Sequence, residues 1–261
     1  MKFMIAVDCE GAACVVGEPG MSLSNSSNMA FAREQATRET NAAVRALFDV
    51  GAEKVVVWDS HGDGANILFD QLDQRCEILL GVGFNRRFPE LDETYSGVLM
   101  IGYHAMAGTV NGVLAHTYSS DAYHAIRVNG MEVGEIALDA SVAGERKVPL
   151  IFVASDDKGC AESLEFMPWV KTVETKRGLG RHCAYSKHPA VVEKQIYGTV
   201  CVAVEELAQM KPFLFKNPVQ IEIQFEQFIQ LLKARIRRQG WSMSGLKTLK
   251  ALLPNMLEWK C

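Results

Sequence analysis

An apolar run near the start of the chain leads directly into two carboxylates: residues 4–7 are followed by Asp8, Cys9, Glu10 and Gly11. Side chains two residues apart on a strand point to the same face, so an extended conformation through Glu10 places the carboxylates together. Such close like charges repel unless a cation lies between them or one carboxylate takes up a proton. Carboxylate oxygens suit a divalent metal ion. Taken alone, the pair is better explained as a solvated strand end or a helix-capping Asp.

Length and composition bound the class of protein. The chain has 261 residues, of which 48% are hydrophobic, and a formal net charge of −4. We expect one large domain, or a domain with a small appendage, around a sizeable core. Because the sequence has no basic run, nucleic acid is not expected as the main partner. The N-terminus has too few apolar residues for a signal peptide, and no run reaches the ~18 apolar residues of a membrane span.

The seven cysteines are scattered along the chain, and no two are spaced as Cys-x-x-Cys. Several lie in apolar stretches, as Cys201 does between Val200 and Val202. We therefore expect mostly reduced thiols and a cytoplasmic location.

Strand-like and helical patterns alternate along most of the chain. We predict a helix over 28–50 that Gly51 ends and a buried parallel strand over 54–58. Further strands are predicted at 76–80, 97–104 and 149–154, with another at 169–175; further helices at 68–72, 135–143 and 189–210; a type I′ hairpin over 123–133; and a basic loop at 176–181. This alternation indicates an α/β protein with three α/β/α layers and a central mostly parallel or mixed sheet.

The character of the sequence changes after Pro212. Residues 219–223 alternate as a half-exposed strand does, 225–238 are amphipathic and helical, and the last twenty residues suggest one more helix. We divide the chain into a metal-binding α/β domain, residues 1–211, and a C-terminal strand–helix extension, residues 212–261, which alternatively belongs to the same domain.

Acidic residues and histidines follow the apolar runs, and ligands of such sheets lie at the carboxyl ends of strands. The candidates are Asp8, Glu10, Asp59, His61, His104, His116 and, at a helix start, Glu135. Imidazole nitrogen and carboxylate oxygen together suit zinc, manganese or cobalt. A set of this size has enough ligands for two ions bridged by one carboxylate. The sequence therefore predicts a metal site.

Several of these residues have a second interpretation. Glu135 fits the first turn of a helix, where the helix dipole favours a carboxylate. Asp59 either orients a histidine or caps a helix. The remaining candidates are interpreted as helix caps (Asp156 and Asp157), a structural or surface histidine (His124), and solvated histidines (His182 and His188).

Cys9 and residues 178–181 are two further candidates for a chemical role. Cys9 is flanked by carboxylates, which raise the pKa of a thiol and oppose a cysteine nucleophile there. Gly178 and Gly180 precede Arg181 in a stretch suited to cradling a phosphate or a carboxylate, although the Gly-x-x-x-x-Gly-Lys signature is absent. We interpret it as a loop that faces the substrate or another subunit.

In these stretches the sequence resembles the D-aminopeptidases of bacterial dipeptide operons, which are dinuclear zinc peptidases. The resemblance covers about residues 1–210 and lies in residues 7–11, 59–61, 102–105, the His116 segment, 133–135, 154–157 and 176–181. Cys9 stands where the family often has Met, 62–64 is richer in glycine and acid, and the segment after Pro212 does not align convincingly.

The resemblance implies a site as well as an activity. The family's metal ligands fall on Asp8, Glu10, His61, His104 and Glu135, with Asp8 as the bridge between two zinc ions, and its catalytic histidine falls on His116. This favours a ligand role for Glu135. The implied activity is removal of an N-terminal D-amino acid, notably D-Ala, from short peptides. The implied assembly is a cytoplasmic, ring-shaped homo-oligomer whose sites face an inner cavity.

Two alternatives stay open on the sequence. The same ions would serve an amidase or deacylase that acts on a non-peptide amide. A non-catalytic module that binds a metal or small ligand would also use these residues.

Overall fold

The computed structural model describes residues 1–238 and 240–260. The strands are β1 Lys2–Val7, β2 Lys54–Asp59, β3 Glu77–Leu79, β4 Gly97–Ile101, β5 Tyr123–Val128, β6 Met131–Glu132, β7 Leu150–Asp156, β8 Lys171–Gly180, β9 Cys183–Ser186, β10 Val219–Phe225, β11 Ser242–Gly245 and β12 Thr248–Leu253. The α-helices are α1 Met29–Asp49, α2 Glu135–Gly144, α3 Asp157–Phe166, α4 Pro189–Glu205 and α5 Phe228–Arg237. Short 3₁₀ helices cover Leu23–Asn25, Phe69–Gln71, Leu207–Gln209 and Met256–Glu258.

The strands form two sheets. The larger has the order β3-β2-β1-β4-β7-β8-β9 and is parallel except for β9 at its edge. The smaller has the order β11-β12-β10-β5-β6 and is antiparallel throughout. The expected α/β fold with a central mostly parallel sheet is confirmed.

Strand β1 shows why the larger sheet is buried on both faces. Phe3 and Ile5 pack into a core shared with α1 and α4. Met4 and Ala6 point the opposite way, into a core shared with α2 and the smaller sheet. Alternation along one strand therefore supplies both cores, and the helices on the two faces give the layered architecture.

The ends of α1 and of the hairpin follow their local sequence. Gly51 has a φ of +90°, and Ala52 N–H donates to Leu47 O at 2.9 Å, which closes α1 as a Schellman motif. Asn129 and Gly130 both have positive φ, as the type I′ turn between β5 and β6 requires.

Three predictions of secondary structure were wrong. Residues 242–253, expected to be helical, form the β11–β12 hairpin, because β12 pairs with β10 and buries Leu249 and Ala251. The predicted basic loop at 176–181 lies mostly within β8, where residues 176–180 pair with β9. The apolar run that leads into His116, also expected to be a strand, forms an irregular segment over residues 113–117, so His116 does not follow a strand.

The proposed division between residues 211 and 212 crosses a continuous sheet. Strand β10 pairs with β5 through five residue pairs, including Ile221 with Val128 and Ile223 with Ile126. The two segments thus share one hydrophobic core, and the division remains a prediction.

The cysteines Cys9, Cys14, Cys76, Cys160, Cys183 and Cys201 are free thiols, and Cys261 lies outside the described residues. Within residues 1–238 and 240–260, no helix is both long and apolar enough to cross a membrane.

Candidate active site

The carboxyl ends of β1 and β4 approach each other so closely that only glycine fits. Asp8 N–H donates to Ile101 O at 2.8 Å, and Gly11 N–H donates to Gly102 O at 2.7 Å. A Cβ on Gly11 would lie 1.8 Å from Tyr103 O. A Cβ on Gly102, whose φ is +72°, would lie 2.1 Å from Asp8 O. The two glycines therefore bring the segments that follow β1 and β4 together.

Asp8 and Glu10 converge, though not for the expected reason. Strand β1 ends at Val7, so an extended conformation does not continue to Glu10. The chain turns instead, and both carboxylates reach His61 Nδ1, Asp8 Oδ1 at 2.7 Å and Glu10 Oε2 at 3.1 Å. All three side chains are buried.

His104 connects this pair to Glu135. Its Nε2 lies 3.4 Å from Asp8 Oδ2 and 3.3 Å from Glu135 Oε1. Glu135 is the first residue of α2, so it both meets the helix dipole and points into the cluster. Its Oε1 also accepts from Tyr118 N–H at 2.6 Å.

His116 lies beside His104 despite its irregular backbone. The two imidazoles stack with ring centroids 4.0 Å apart, and His116 Nε2 lies 4.0 Å from Glu135 Oε1. His116 Nδ1 lies 2.8 Å from Leu114 O. A carbonyl only accepts, so Nδ1 carries the proton and Nε2 presents its lone pair to the site.

Five residues predicted as ligands and the predicted catalytic histidine thus lie in one cluster: Asp8, Glu10, His61, His104, Glu135 and His116. Two groups of possible ligand atoms overlap at His104, one with Asp8 and Glu10 and one with His116 and Glu135.

The charges of these groups depend on one another. Burial, reinforced by Glu10, raises the pKa of Asp8 to about 7. Burial alone would lower the pKa of His104, but Glu135 and Asp8 outweigh it and raise that pKa to about 10. His104 in turn overcomes the effect of burial on Glu135 and lowers its pKa to about 2. The cluster therefore needs positive charge among its carboxylates, from protons or from a cation.

Two buried atoms indicate where a cation fits. His104 Nδ1 lies 3.0 Å from Ala105 O, to which it donates, so Nε2 is left facing two carboxylate oxygens. Neither His104 Nε2 nor Glu10 Oε2 has a hydrogen-bond partner among the described residues. Acceptor atoms this close repel unless a proton or metal ion lies between them. The donor set of imidazole nitrogen and carboxylate oxygen suits zinc.

Asp59 acts on the loop of His61 and not on its imidazole. Its Oδ2 accepts from Asn66 N–H at 2.6 Å and Ile67 N–H at 2.9 Å. The Asn66 side chain also donates to His61 O. Asp59 therefore fixes the backbone of the segment from which His61 projects.

The contacts and burial of Asp156, His124 and Cys9 show the role of each outside the cluster. Asp156 caps α3, as expected, by accepting from Gly159 N–H at 2.8 Å, and it also accepts from Val113 N–H at 2.8 Å. His124 is exposed and pairs with Glu226 at 3.1 Å. Burial raises the pKa of the Cys9 thiol, which opposes a nucleophilic role.

Sequence reasoning missed a buried polar network beneath the site. Arg87 forms a two-pronged ion pair with Asp139, at 2.9 and 2.7 Å. Tyr103 OH and Tyr118 OH donate to the same carboxylate at 2.8 and 2.9 Å. Asp139 follows Glu135 by one helical turn, a spacing that places both on one face of α2 and was available in the sequence. Arg87 lies in an irregular segment without periodicity, and no pattern marks it.

Glu162 and Lys176 were also missed. Glu162 Oε2 accepts from Met106 N–H at 2.8 Å, and burial raises the pKa of Glu162 to about 7. Lys176 Nζ donates to Glu10 O at 2.5 Å and to Ala12 O at 2.6 Å. Both support loops that carry site residues.

A buried group of carboxylates and imidazoles at the carboxyl edge of a parallel sheet is typical of metal-dependent hydrolases. The family model of D-aminopeptidase, Peptidase_M55, matches residues 1–238. The chain belongs to this D-aminopeptidase family, and it is a peptidase.

A sequence match and a structural match extend this comparison. The chain is 29% identical over 261 residues to a D-aminopeptidase of Bacillus subtilis (strain 168), covering 99% of this chain and 93% of the relative. It also resembles the solved structure of the Zn-dependent D-aminopeptidase DppA from Bacillus subtilis, described as a self-compartmentalizing protease. That match has a TM-score of 0.92 at 28% identity and covers 99% of this chain and 93% of the other.

Proposed function

We propose that this protein removes N-terminal D-amino acids, of the D-Ala type, from short peptides, with two divalent metal ions held by Asp8, Glu10, His61, His104 and Glu135. One observation carries the metal site: His104 Nε2 faces Asp8 and Glu135 oxygens at 3.4 and 3.3 Å without a hydrogen-bond partner among the described residues. Zinc is the proposed ion, with manganese or cobalt as alternatives, because the ligands combine imidazole nitrogen and carboxylate oxygen. Asp8 is the proposed bridge.

The proposed chemistry divides between the ions and the protein. Bound divalent ions supply Lewis acidity, which lowers the pKa of a water molecule and polarises a carbonyl group. His116 Nε2 takes the proton of the attacking water and returns it to the leaving amine. Burial lowers the pKa of His116, so its imidazole is neutral and able to accept that proton.

Two groups hold His116 in place for this role. Leu114 O fixes the tautomer of His116 through Nδ1, and the stacked ring of His104 fixes the plane of its imidazole. Glu135 is itself held by Tyr118 N–H. These contacts keep Nε2 directed at the cluster, and such pre-organised geometry is what proton transfer requires.

The proposed assembly follows the similar solved structure, and the proposed location follows from the scattered cysteines of the sequence. The similar solved structure is described as a self-compartmentalizing protease. We propose that this chain also forms a ring-shaped homo-oligomer whose sites face an inner cavity, and that it works in the cytoplasm.

Metal content tests the proposal directly. Mass spectrometry of protein purified without chelator should find about two ions per chain in the wild type and a loss of metal in Asp8→Ala. Asp63→Asn, which changes an exposed carboxylate near His61, is the matched control and should retain the metal. Metal-free wild type that stays inactive after zinc, manganese or cobalt is added would overturn the proposal.

Substrate class is tested with matched D- and L-aminoacyl peptides beside N-acyl amines. Turnover of D-Ala peptides with little turnover of the L-forms supports the D-aminopeptidase assignment. Preferential hydrolysis of N-acyl amines would identify an amidase or deacylase instead.

A further inference from the structure

Two arginines line the cavity at the carboxylate–imidazole cluster, and they differ in what holds them. The cavity has a volume of about 390 Å³ and includes Asp8, His116, Arg87 and Arg181 in its wall. The guanidinium of Arg87 is engaged by the Asp139 carboxylate. Arg87 therefore already has its counter-ion and supports the floor of the site.

Arg181 has no such counter-ion. The one described polar contact of its guanidinium is the hydrogen bond from Nη1 to Ala115 O at 2.5 Å, and no ion pair of Arg181 exists within residues 1–238 and 240–260. A guanidinium has five N–H donors, so most of those on Arg181 are left for solvent or a ligand. Asp121 lines the same cavity, but its carboxylate accepts from Ser120 Oγ at 3.2 Å.

The backbone holds Arg181 next to His116. Arg181 O accepts from Leu114 N–H at 2.9 Å, and its guanidinium holds the carbonyl of Ala115, the residue before His116. Gly178 lets the hairpin formed by β8 and β9 approach the segment that carries His116, because a Cβ on Gly178 would lie 1.9 Å from Asn111 O. The amide of Gly178 donates to Asp157 Oδ1 at 2.8 Å, so it is not free to cradle an anion. Of Gly178 and Arg181, only the Arg181 guanidinium is therefore left with donors for a ligand.

The chemistry of this position fits a carboxylate. The planar guanidinium matches the two oxygens of a carboxylate, which lysine does not. An extended dipeptide spans about 7 Å, so its terminal carboxylate lies within one side chain's reach of the scissile carbonyl. We propose that Arg181 binds the C-terminal carboxylate of di- and tripeptide substrates, a step that rests on the proposed aminopeptidase function. Longer peptides and C-terminal amides lack a carboxylate at this place.

Matched substrates and variants test this proposal. Steady-state kinetics are measured for the metal-loaded wild type, Arg181→Met, Arg181→Lys and Arg177→Met, each with D-Ala-D-Ala and with its C-terminal amide. Arg177 lies on β8, four residues before Arg181, with its guanidinium over the ring of Tyr185 at 5.7 Å, and it does not line the cavity. It therefore controls for loss of a positive charge from the hairpin.

The expected result is selective. Arg181→Met should lower kcat/KM for the free acid by about tenfold or more, mainly through KM, and change the amide less than about twofold. Arg181→Lys should recover part of the preference for the acid, and Arg177→Met should resemble the wild type.

Other results overturn the proposal. Equal losses on acid and amide would mean that Arg181 only positions the His116 segment. Unchanged kinetics on both would mean that the guanidinium does not meet the substrate. If the metal-loaded wild type hydrolyses neither compound, the proposed aminopeptidase function fails, and the carboxylate assignment fails with it.

Discussion

The two sheets of the molecule place very different demands on their side chains. The larger sheet is covered on both faces, and β1 is buried continuously from Phe3 to Val7. In the smaller sheet, β12 buries Leu249 while Leu252 is 66% exposed. A strand covered on both sides fixes every side chain, whereas a one-sided strand constrains only alternate ones. The candidate site lies at the carboxyl ends of β2, β1 and β4 within the larger sheet, where side-chain positions are most tightly constrained.

Replacing one histidine from each region should give the largest contrast. His116→Ala should lower kcat roughly 10²–10⁴-fold, because it removes the proposed proton-transfer group. His124→Ala, on β5 of the smaller sheet, should leave kcat near the wild-type value, since its side chain is 56% exposed. Activity and metal content are measured together on both variants. Loss of metal from His116→Ala would instead identify His116 as a ligand.

Breaking one ion pair in each region compares how much a buried pair and an exposed pair contribute to stability. Arg87→Met leaves the fully buried Asp139 carboxylate without a cation and should lower the free energy of unfolding by about 3–5 kcal/mol. Arg127→Met breaks the exposed 2.9 Å pair with Glu132 and should cost less than about 1 kcal/mol. Urea unfolding of both variants measures the difference. Equal losses would contradict the contrast between the two sheets.

One glycine substitution at each sheet compares how closely the backbone is packed in the two regions. Gly102→Ala should lower the free energy of unfolding by about 3 kcal/mol, because its φ is +72° and the new Cβ would meet Asp8 O at 2.1 Å. Gly245→Ala, in β11, should change it by less than about 0.5 kcal/mol, because the nearest atom is Thr248 Oγ1 at 3.6 Å. Thermal and urea unfolding report both values. A harmless Gly102→Ala would show that the strand ends can separate.

Glu39 gives the smallest effect, and it depends on pH. Burial raises the pKa of Glu39 from its ordinary value of 4.5 to about 7, so between these pH values the folded state retains a proton that the unfolded state releases. The wild type should therefore lose stability as pH rises from about 4.5 to about 7. Glu39→Gln keeps an acceptor for Ala13 N–H and should lack this loss, a difference of roughly 2–3 kcal/mol across the window. Unfolding measured at several pH values, with Glu132→Gln as an exposed control, checks it.

Most of the site could be predicted from the sequence, because its residues follow apolar runs and ligands bind at the carboxyl ends of parallel strands. This reasoning predicted that Asp8, His61 and His104 lie at the carboxyl ends of neighbouring strands, and the structure brings them together. The convergence of Asp8 with Glu10, however, depends on a turn packed against Tyr103, and local sequence does not encode that packing. Tertiary pairing overrides local pattern here.

The remaining differences have the same cause. The local sequence of the β11–β12 hairpin predicts a helix, because the spacing of Leu249, Leu252 and Leu253 suits a helix as well as a strand. Only the pairing of β12 with β10 decides between the two structures. Arg87 is fixed by groups remote in sequence: Asp139, Trp58 at 4.5 Å and Tyr118 at 5.2 Å. One chain examined without its three-dimensional contacts cannot reveal such a residue.

The pairing of β5 with β10 also has a consequence for synthesis. The β5–β6 hairpin leaves the ribosome well before residues 219–225, and at about 5–20 residues per second the interval lasts several seconds. During that time one edge of β5, with Ile126 and Val128, has no strand beside it. An open apolar edge can recruit strands from other nascent chains. Strand β10 therefore covers the open edge of β5 once the C-terminal segment is made, and we expect truncation before β10 to yield an aggregating product.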